Sequence, residues 1–402
     1  MVPKGWKVRE LGELAKFISG GTPSKSTESY WGGGHPWMSG KDLKKHFLSS
    51  SIDTLTDEGF NSANKAPAGS TLILVRGMTL LKSFPVGFAT KPLAFNQDLK
   101  ALIPEKNIDG LFLSYLLAGN KEKIRQLVST AGHGTGRLDT ESLKAFPTLL
   151  PSSAEQIKIA KILSVWEQAI STTERLLTNT LQHKKSLIQQ LFSNSSTNTK
   201  KILYPRISEI SERLQQKSDG ASYPVLTISS LSGFIRQDEK YNRYMAGKSV
   251  ENYILLRKGE FAYNKGNSKS YEFGCIFDLN NFEAGLVPNV YVCFKLKTGL
   301  NHRYFKYLFE ADYLKPQLGK LVNTGVRNNG LLNIKPSEFM NTKVPVPSSA
   351  EQEKIANILH DASKQMAALK RKITCLKQEK KALMQQLLTG KRRVKVDAVE
   401  TS

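Results

Sequence analysis

An internal duplication organises this chain. The residues Pro-Ser-Ser-Ala-Glu-Gln begin at Pro151 and begin again at Pro347, 196 positions later. The same offset aligns three further pairs of segments: 11–14 with 207–210, 159–163 with 355–359, and 185–191 with 381–387. This period is far longer than the roughly 20–45 residues of a solenoid repeat. The sequence therefore predicts two copies of one plan, each a variable globular module followed by a better-matched helical segment.

Both helical segments carry a heptad pattern. From Ile159 to Leu191, and again from Ile355 to Leu387, the seam positions alternate in steps of four and three, and most are apolar. A spacing of 3.5 residues predicts a coiled coil. Lys184 and Lys380 occupy equivalent seam positions, where they either extend to solvent or enforce the register. The predicted seam includes Leu163, Ile170, Leu177, Lys184, Leu191, Leu359, Met366, Ile373, Lys380 and Leu387.

Helix starts and linker length predict how the two helices run. Ser152 or Ser153 can cap the first helix, and Ser348 or Ser349 the second, each preceded by a proline that ends the previous segment. Each helix should extend about 57 Å, whereas the polar linker 193–200 spans at most about 27 Å. A module of this size is only about 40 Å across. We therefore expect an antiparallel pair with pseudo-twofold symmetry.

The predicted fold class is α+β, with two mixed globular modules joined by the coiled coil. Thr71–Val75 and Val290–Phe294 are typical of strands, while Gly110–Ala118 and His302–Ala311 are typical of helices. The expected boundaries are 1–150 for the first module, 151–192 for the first helical region, 193–200 for the linker, 201–346 for the second module, 347–390 for the second helical region, and 391–402 for a basic flexible tail.

Composition points to a polyanionic partner. The net charge is +23 and the pI about 9.7, which favours nucleic acid. Apolar runs are too short to span a membrane, and the first residues show no signal-peptide core. The three cysteines form no CxxC pair, so neither a zinc site nor a disulfide framework is expected. These observations predict a cytoplasmic protein.

Basic loops occur at corresponding places in both modules. Arg and Lys pair with phosphates or guanine edges and Asn with adenine, while glycine allows the backbone to approach DNA closely. The alternative for any one residue is an ordinary solvated charge. The predicted DNA-binding residues are Lys41, Arg76, Lys82, His133 and Arg137 in the first module, and Lys265, Asn267, Lys269, Arg327 and Asn328 in the second.

Motifs of catalysis are missing. The glycines at 132–136 lack the Lys-Ser or Lys-Thr of a P-loop, and no strand–GxGxxG–helix unit, GxSxG or HExxH is present. The six histidines have no metal-ligand spacing. We therefore expect a scaffold and reader with no catalytic or metal-binding residue.

Two diverged modules, each followed by a helix that opens Pro-x-x-x-Glu-Gln, resemble the specificity subunit of Type I restriction–modification enzymes. The strongest elements are 151–163 and 347–359, and Gly5-Trp6-Lys7-Val8 resembles the opening of the family. The second half has Tyr204-Pro205-Arg206 where the tryptophan would stand.

The resemblance implies that each module is a target recognition domain for one half of a bipartite, asymmetric DNA site. It also implies that the helices set the gap between half-sites and dock two modification subunits, which bind S-adenosylmethionine and methylate adenine. Restriction subunits would add ATP-driven translocation and cleavage. This chain itself would bind none of S-adenosylmethionine, ATP or magnesium. Two alternatives remain: a stand-alone DNA-binding regulator, and a structural adaptor whose modules bind proteins.

Overall fold

The structure is a computed structural model that describes residues 2–131, 134–193, 202–241, 248–266, 268–322 and 332–396. It divides into two compact units. Unit 1 comprises Met1–Arg175 with Lys370–Ser402, and unit 2 comprises Leu176–Leu369. Each unit therefore contains one globular module together with part of each long helix.

Short strands and helices alternate in the first module. The strands are β1 (Lys7–Glu10), β2 (Ala15–Ser19), β3 (Trp31–Met38), β4 (Phe47–Leu48), β5 (Asp53–Leu55), β6 (Lys65–Ala66), β7 (Thr71–Leu74), β8 (Arg76–Gly77), β9 (Val86–Ala89), β10 (Leu93–Phe95), β11 (Leu99–Pro104), β12 (Val128–Ala131), β13 (Thr135–Leu138) and β14 (Pro147–Leu150). The helices are α1 (Asp57–Ser62), α2 (Gly110–Gly119), α3 (Lys121–Arg125) and α4 (Thr140–Lys144), with 3-10 turns at Leu11–Glu13, Glu28–Tyr30 and Met78–Leu81.

The strands of unit 1 form four sheets. Their strand orders are β2-β11-β7-β9-β4, β5-β3-β10-β6, β12-β13-β8 and β1-β14. Strand β7 (Thr71–Leu74), three of whose four residues are apolar, is buried along its whole length, as expected in the middle of a sheet. Helix α2 begins at the N-cap Asp109, whose carboxylate accepts from the Phe112 N–H. It packs on β7 and β9 and buries Phe112 and Tyr115 in the core.

The first long helix, α5, extends over Ser153–Ser193. The strands of unit 2 are β15 (Ser211–Leu214), β16 (Leu226–Ser229), β17 (Gly233–Arg236), β18 (Ile254–Arg257), β19 (Phe261–Asn264), β20 (Cys275–Asp278), β21 (Ala284–Val287) and β22 (Val292–Leu296). Its shorter helices are α6 (Ile207–Ile210), α7 (Gln237–Tyr241), α8 (His302–Glu310), α9 (Lys315–Leu321) and α10 (Pro336–Met340). A 3-10 turn covers Lys248–Asn252, and the second long helix, α11, covers Ser349–Leu388.

Unit 2 has its own sheets and core. The strand orders are β15-β22-β19-β20, β16-β17 and β18-β21. Helix α8 packs on β20 and contributes Tyr304, Phe305 and Leu308 to a core that also contains Leu359 of α11 and Phe192 of α5. The long helices are thus embedded in the cores of the modules.

A glutamine in each copy of the repeated motif fixes the start of its long helix. The Gln156 side chain accepts from the Asp109 N–H (2.9 Å) and donates to the Pro151 carbonyl (3.1 Å). Gln352 accepts from the Asn301 N–H (2.9 Å) and donates to the Pro347 carbonyl (2.9 Å). Asp109 and Asn301 are the N-caps of α2 and α8. This "glutamine clamp" therefore gives a physical reason for the duplicated sequence.

The two long helices run antiparallel in unit 1. Lys380 of α11 forms an ion pair with Glu167 of α5, and Lys377 forms one with Glu174 at 2.6 Å. The α5 partner number rises while the α11 number falls, as it must for opposite directions. The predicted α+β architecture with antiparallel long helices is confirmed.

Candidate nucleic-acid interface

Two predicted DNA-binding arginines are cross-strand neighbours. Arg76 on β8 pairs with Arg137 on β13, and Gly77 pairs with Gly136 in the same register. Both arginine side chains are exposed. Like charges directly opposite each other repel, so this arrangement favours an anion that neutralises both. The glycines beside them allow close packing inside the module, because a Cβ atom at Gly136 would lie 3.1 Å from the Gly77 carbonyl oxygen.

A 3-10 turn, Met78–Leu81, continues from β8 and leads to Lys82, which is also exposed. Its N-cap is Gly77, whose φ of 142° is readily reached only by glycine. Leu80 anchors the turn: it is fully buried, and a Cβ atom at Gly136 would lie only 2.9 Å from the Leu80 Cβ. The position of Lys82 therefore follows from the packing of β13 against this turn. We call Arg76, Lys82 and Arg137 the basic patch.

Lys41 lies in an exposed turn after β3. Asp42 shapes this turn by accepting from the Ser39 N–H at 2.8 Å. A Cβ atom at Gly40 would lie 3.0 Å from one Leu74 methyl, and a Cβ at Gly77 would lie 3.7 Å from the other. The turn that carries Lys41 and the strand that carries Arg76 therefore both pack on Leu74, which brings Lys41 towards the basic patch.

The structure describes only some of the DNA-binding residues that the sequence predicts in the second module. Lys269 is exposed and Lys265 half-buried, in the loop between β19 and β20. The Lys265 carbonyl accepts from the Leu332 N–H at 3.1 Å, much as the Val75 carbonyl accepts from the Leu138 N–H at 2.9 Å in the first module. His133, Asn267, Arg327 and Asn328 lie outside the described residues.

Most predicted seam residues face protein. Leu163, Ile170, Leu359 and Leu387 are buried. Leu177, Leu191, Met366 and Ile373 are half-buried. The sequence did not indicate that several of these residues pack into the module cores as well as along the helix pair.

The two seam lysines are held inside their units rather than extended to solvent. Lys380 pairs with Glu167 and lies 5.2 Å from the centre of the Tyr115 ring. Lys184 pairs with Glu310 at 3.4 Å and lies 5.0 Å from the centre of the Tyr307 ring. Both lysine side chains are about 15% exposed. Tyr115 and Tyr307 stand at the same place in α2 and α8, so the aromatic partner of the two lysines is equivalent. Their carboxylate partners are not, because Glu167 lies on α5 and Glu310 on α8.

His46 completes the Lys380 site. Its ring stacks on Tyr115, with centroids 4.3 Å apart, and its Nε2 lies 3.0 Å from the Ser114 hydroxyl. Burial, with a contribution from the Lys380 charge, lowers the pKa of His46 to about 3. Burial also raises the pKa of Tyr115. The imidazole is therefore neutral at physiological pH. Sequence reasoning missed His46, because an isolated histidine carries no spacing signal.

Each unit has a groove at the equivalent position of its long helix. The α5 groove, of 580 Å³, lies in unit 2 and is lined by residues that include Leu181, Lys184, Lys185, Ile188 and Gln189. The α11 groove, of 310 Å³, lies in unit 1 and is lined by the residues 196 positions later: Lys377, Lys380, Lys381, Met384 and Gln385. The duplication thus preserved the place of the groove, and both linings combine lysines, carboxylates and apolar side chains.

The described residues show neither a metal-binding cluster nor a membrane-spanning helix. They contain no group of three or more His, Cys, Asp or Glu that could hold a metal ion. None of their helices combines the length and apolarity that a bilayer crossing requires.

Comparisons with known proteins agree with this architecture. The chain is 33% identical over 165 residues to the specificity subunit of the Type I restriction enzyme EcoR124I/EcoR124II of Escherichia coli, covering 40% of each chain. It is 30% identical over 201 residues to the MjaIX specificity subunit of Methanocaldococcus jannaschii, covering 48% of this chain and 44% of the relative. These two matches span less than half of the relatives. The MjaVIII specificity subunit of the same organism is 24% identical over 98% of this chain and 94% of its own.

Two solved structures share the fold over nearly the whole chain. The S subunit of a Type I restriction–modification system from M. genitalium has a TM-score of 0.60 at 16% identity, covering 95% of this chain and 96% of its own. A chain from a structure of the type I R-M system has a TM-score of 0.55 at 14% identity, covering 98% and 100%. The family model described as Type I restriction modification DNA specificity domain matches residues 3–183 and 210–378. This chain belongs to the Type I restriction modification DNA specificity domain family.

Proposed function

We propose that this protein is the DNA-recognition subunit of a Type I restriction–modification complex and has no catalytic site of its own. Each module would read one half of a bipartite, asymmetric site. The observation that carries the proposal is the exposed cross-strand pair Arg76 and Arg137 on a chain of net charge +23. Two guanidinium groups side by side on an exposed strand pair are suited to phosphate or to the O6 and N7 atoms of guanine.

Recognition would combine two kinds of contact. Phosphate contacts place the module on the duplex, while contacts to base edges read the sequence. Since the loops of the second module have a different sequence, its half-site should differ as well.

The long helices would set the distance between half-sites and dock two modification subunits. The equivalent positions of the α5 and α11 grooves on their long helices support two docking sites, one in each unit. Modification subunits would supply S-adenosylmethionine and methylate adenine, and restriction subunits would supply ATP- and magnesium-dependent translocation and cleavage. Such a complex would act in the cytoplasm.

The test is reconstitution. The chain is expressed alone and with a modification subunit, and binding to duplex DNA is measured by gel shift at several salt concentrations. Sequencing of methylated bases in cells that carry both genes identifies the target. We expect a stable complex, methylation of one split sequence, and affinity that falls steeply with salt.

The alternatives give different results. Sequence-specific binding by the chain without affinity for any modification subunit would identify a stand-alone regulator. Indifference to DNA in both preparations would favour a structural adaptor. Methylation or cleavage by the purified chain alone would contradict the absence of catalysis.

A further inference from the structure

We propose that Met78 is a specificity-determining residue that reads DNA bases through apolar contact in the half-site of the first module. This inference rests on the proposed function and adds to it, since recognition by the basic patch is polar. Met78 begins the 3-10 turn between Arg76 and Lys82, and its side chain is 73% exposed.

The exposure of Met78 is built into the fold. Gly77, immediately before Met78, has a φ of 142°. Leu80, two residues after Met78, is fully buried. Gly136 on β13 approaches Leu80 so closely that a Cβ there would lie 2.9 Å from the Leu80 Cβ and 3.1 Å from the Gly77 carbonyl oxygen. Because both ends of the turn are fixed, Met78 is held outwards on a firm backbone. Leu81, at 40% exposure, is a second apolar residue on the turn.

The surroundings of Met78 identify its partner. Arg76 and Lys82 flank the turn, and Arg137 is paired with Arg76. Arg125, which forms an ion pair with Glu122, donates to the Leu81 carbonyl at 3.5 Å. A protein partner would need acidic groups around an apolar centre. DNA supplies this combination directly, because phosphates line the grooves and apolar base surfaces lie within them. The basic patch would bind phosphates while Met78 reaches the bases.

Within a DNA duplex, an apolar side chain at position 78 can make favourable contacts only with the bases. It offers nothing to a phosphate, whereas thymine methyl groups and the faces of unstacked bases are apolar. Methionine is unbranched, so it can enter a narrow space with little steric restriction. Loss of this contact should therefore reduce discrimination between sequences without changing the number of phosphates neutralised.

The experiment uses the complex with its modification subunit and compares the wild type with Met78→Gln, Met78→Leu and the control Val8→Gln. Val8 is also exposed (55%) but lies on β1, paired with β14 in another sheet. Affinities are measured over a range of salt for the identified target and for sites with one half scrambled. Met78→Gln should lower discrimination at one half-site about tenfold or more, with an unchanged salt slope. Met78→Leu should retain most of the discrimination between the target and the scrambled sites. Val8→Gln should retain all of it.

A second experiment, in which single bases of the half-site are replaced, tests the contact directly. Deoxyuridine replaces each thymine of the half-site, and 2-aminopurine is placed at each step. A thymine methyl whose removal weakens the wild type but not Met78→Gln, or a fluorescence increase seen with the wild type but not with Met78→Gln, supports the base contact. Wild-type discrimination in Met78→Gln, a changed salt slope, or neither base-level signal overturns it. A wild-type complex without sequence preference would instead overturn the proposed function.

Discussion

The ammonium group of Lys380 lies 5.2 Å from the centre of the Tyr115 ring, which joins the second long helix to the first module. Glu167 of α5 pairs with the same ammonium. One lysine therefore links α2, α5 and α11. The equivalent Lys184 contacts Tyr307 and Glu310, which both belong to α8, so in unit 2 it links only α5 to the module.

Replacing Lys380 with alanine should destabilise unit 1 by about 3 kcal/mol, because Glu167 would remain as a largely buried charge without a partner. All four tryptophans, Trp6, Trp31, Trp37 and Trp166, lie in unit 1. Tryptophan fluorescence during urea unfolding therefore reports on this unit.

The control is Lys377→Ala, which removes a more exposed pair with Glu174 between the same helices. It should change the free energy of unfolding by about 0.5 kcal/mol or less. The double variant Glu167→Gln with Lys380→Met should be less harmful than Lys380→Ala, because it leaves no charge buried. Equal effects of Lys380→Ala and Lys377→Ala would contradict this explanation.

His46 should make unit 1 sensitive to acid. Its pKa is about 3 in the folded protein and about 6.5 in the unfolded chain, so the unfolded chain binds the proton first as the pH falls. The stabilisation is complete above about pH 6.5 and is lost towards pH 3. At pH 5 the free energy of unfolding should be about 2 kcal/mol lower than at pH 7.5 from this residue alone.

His46→Phe, which keeps a ring against Tyr115 but cannot titrate, isolates that contribution. Urea unfolding followed by tryptophan fluorescence at both pH values should show a smaller decrease in this variant than in the wild type. The same pH dependence in both proteins would show that His46 is not held neutral.

The glutamine clamp should protect one backbone amide in each unit. Gln156→Ala leaves the Asp109 N–H and the Pro151 carbonyl without the partners described above, at a cost of about 1–3 kcal/mol. Hydrogen exchange should accelerate at Asp109 in this variant and at Asn301 in Gln352→Ala. Each variant serves as the control for the other, since neither should accelerate exchange at the amide of the other unit.

Arg76→Ala should have opposite effects on DNA binding and on stability. Affinity for the target should fall by about 1–3 kcal/mol with relaxed specificity if the contact is to a base, or the salt slope should decrease by about 1 if it is to a phosphate. Without DNA, relief of the repulsion from Arg137 should stabilise the module by about 0.2–1 kcal/mol. Arg9→Ala, remote in sequence on β1, should leave affinity and salt slope unchanged.

Shortening both long helices by one heptad tests whether they set the spacer. Deleting 173–179 and 369–375 removes about 10 Å, close to three base pairs of DNA, while the seam pattern remains in phase. The methylated target should then have a shorter gap between unchanged half-sites. An unchanged gap in the methylated sequence would show that the helices do not measure it.

The periodic and duplicated parts of the chain were predictable. Heptad steps predict a helix without knowledge of its surroundings, so two long helices were expected, and α5 and α11 are present. Their antiparallel direction followed from a linker too short for the alternative. The order of strands in the modules was not predictable, since β7 pairs with β9 and β11, which lie 12 or more residues away. Long-range pairing of this kind depends on the whole core.

The candidate interface was predictable only as a set of residue types. Arg76 and Arg137 were named separately, because nothing in the sequence shows that two residues 61 positions apart are partners across one register. Met78 was overlooked, since methionine is usually buried and only the packing of Leu80 and Gly136 reveals that it is exposed. His46 and Tyr115 gained their significance from the position of Lys380, which lies more than 260 residues further along the chain.

The glutamine clamp has a bearing on how such proteins can evolve. Gln156 and Gln352 grip only main-chain N–H and carbonyl groups of the module and of the helix start, and every polypeptide offers these groups whatever its side chains. An attachment of this kind tolerates almost any sequence drift in the module it holds. New specificities could therefore be acquired by replacing a whole module, while the glutamine clamp that attaches the module to its long helix is inherited unchanged.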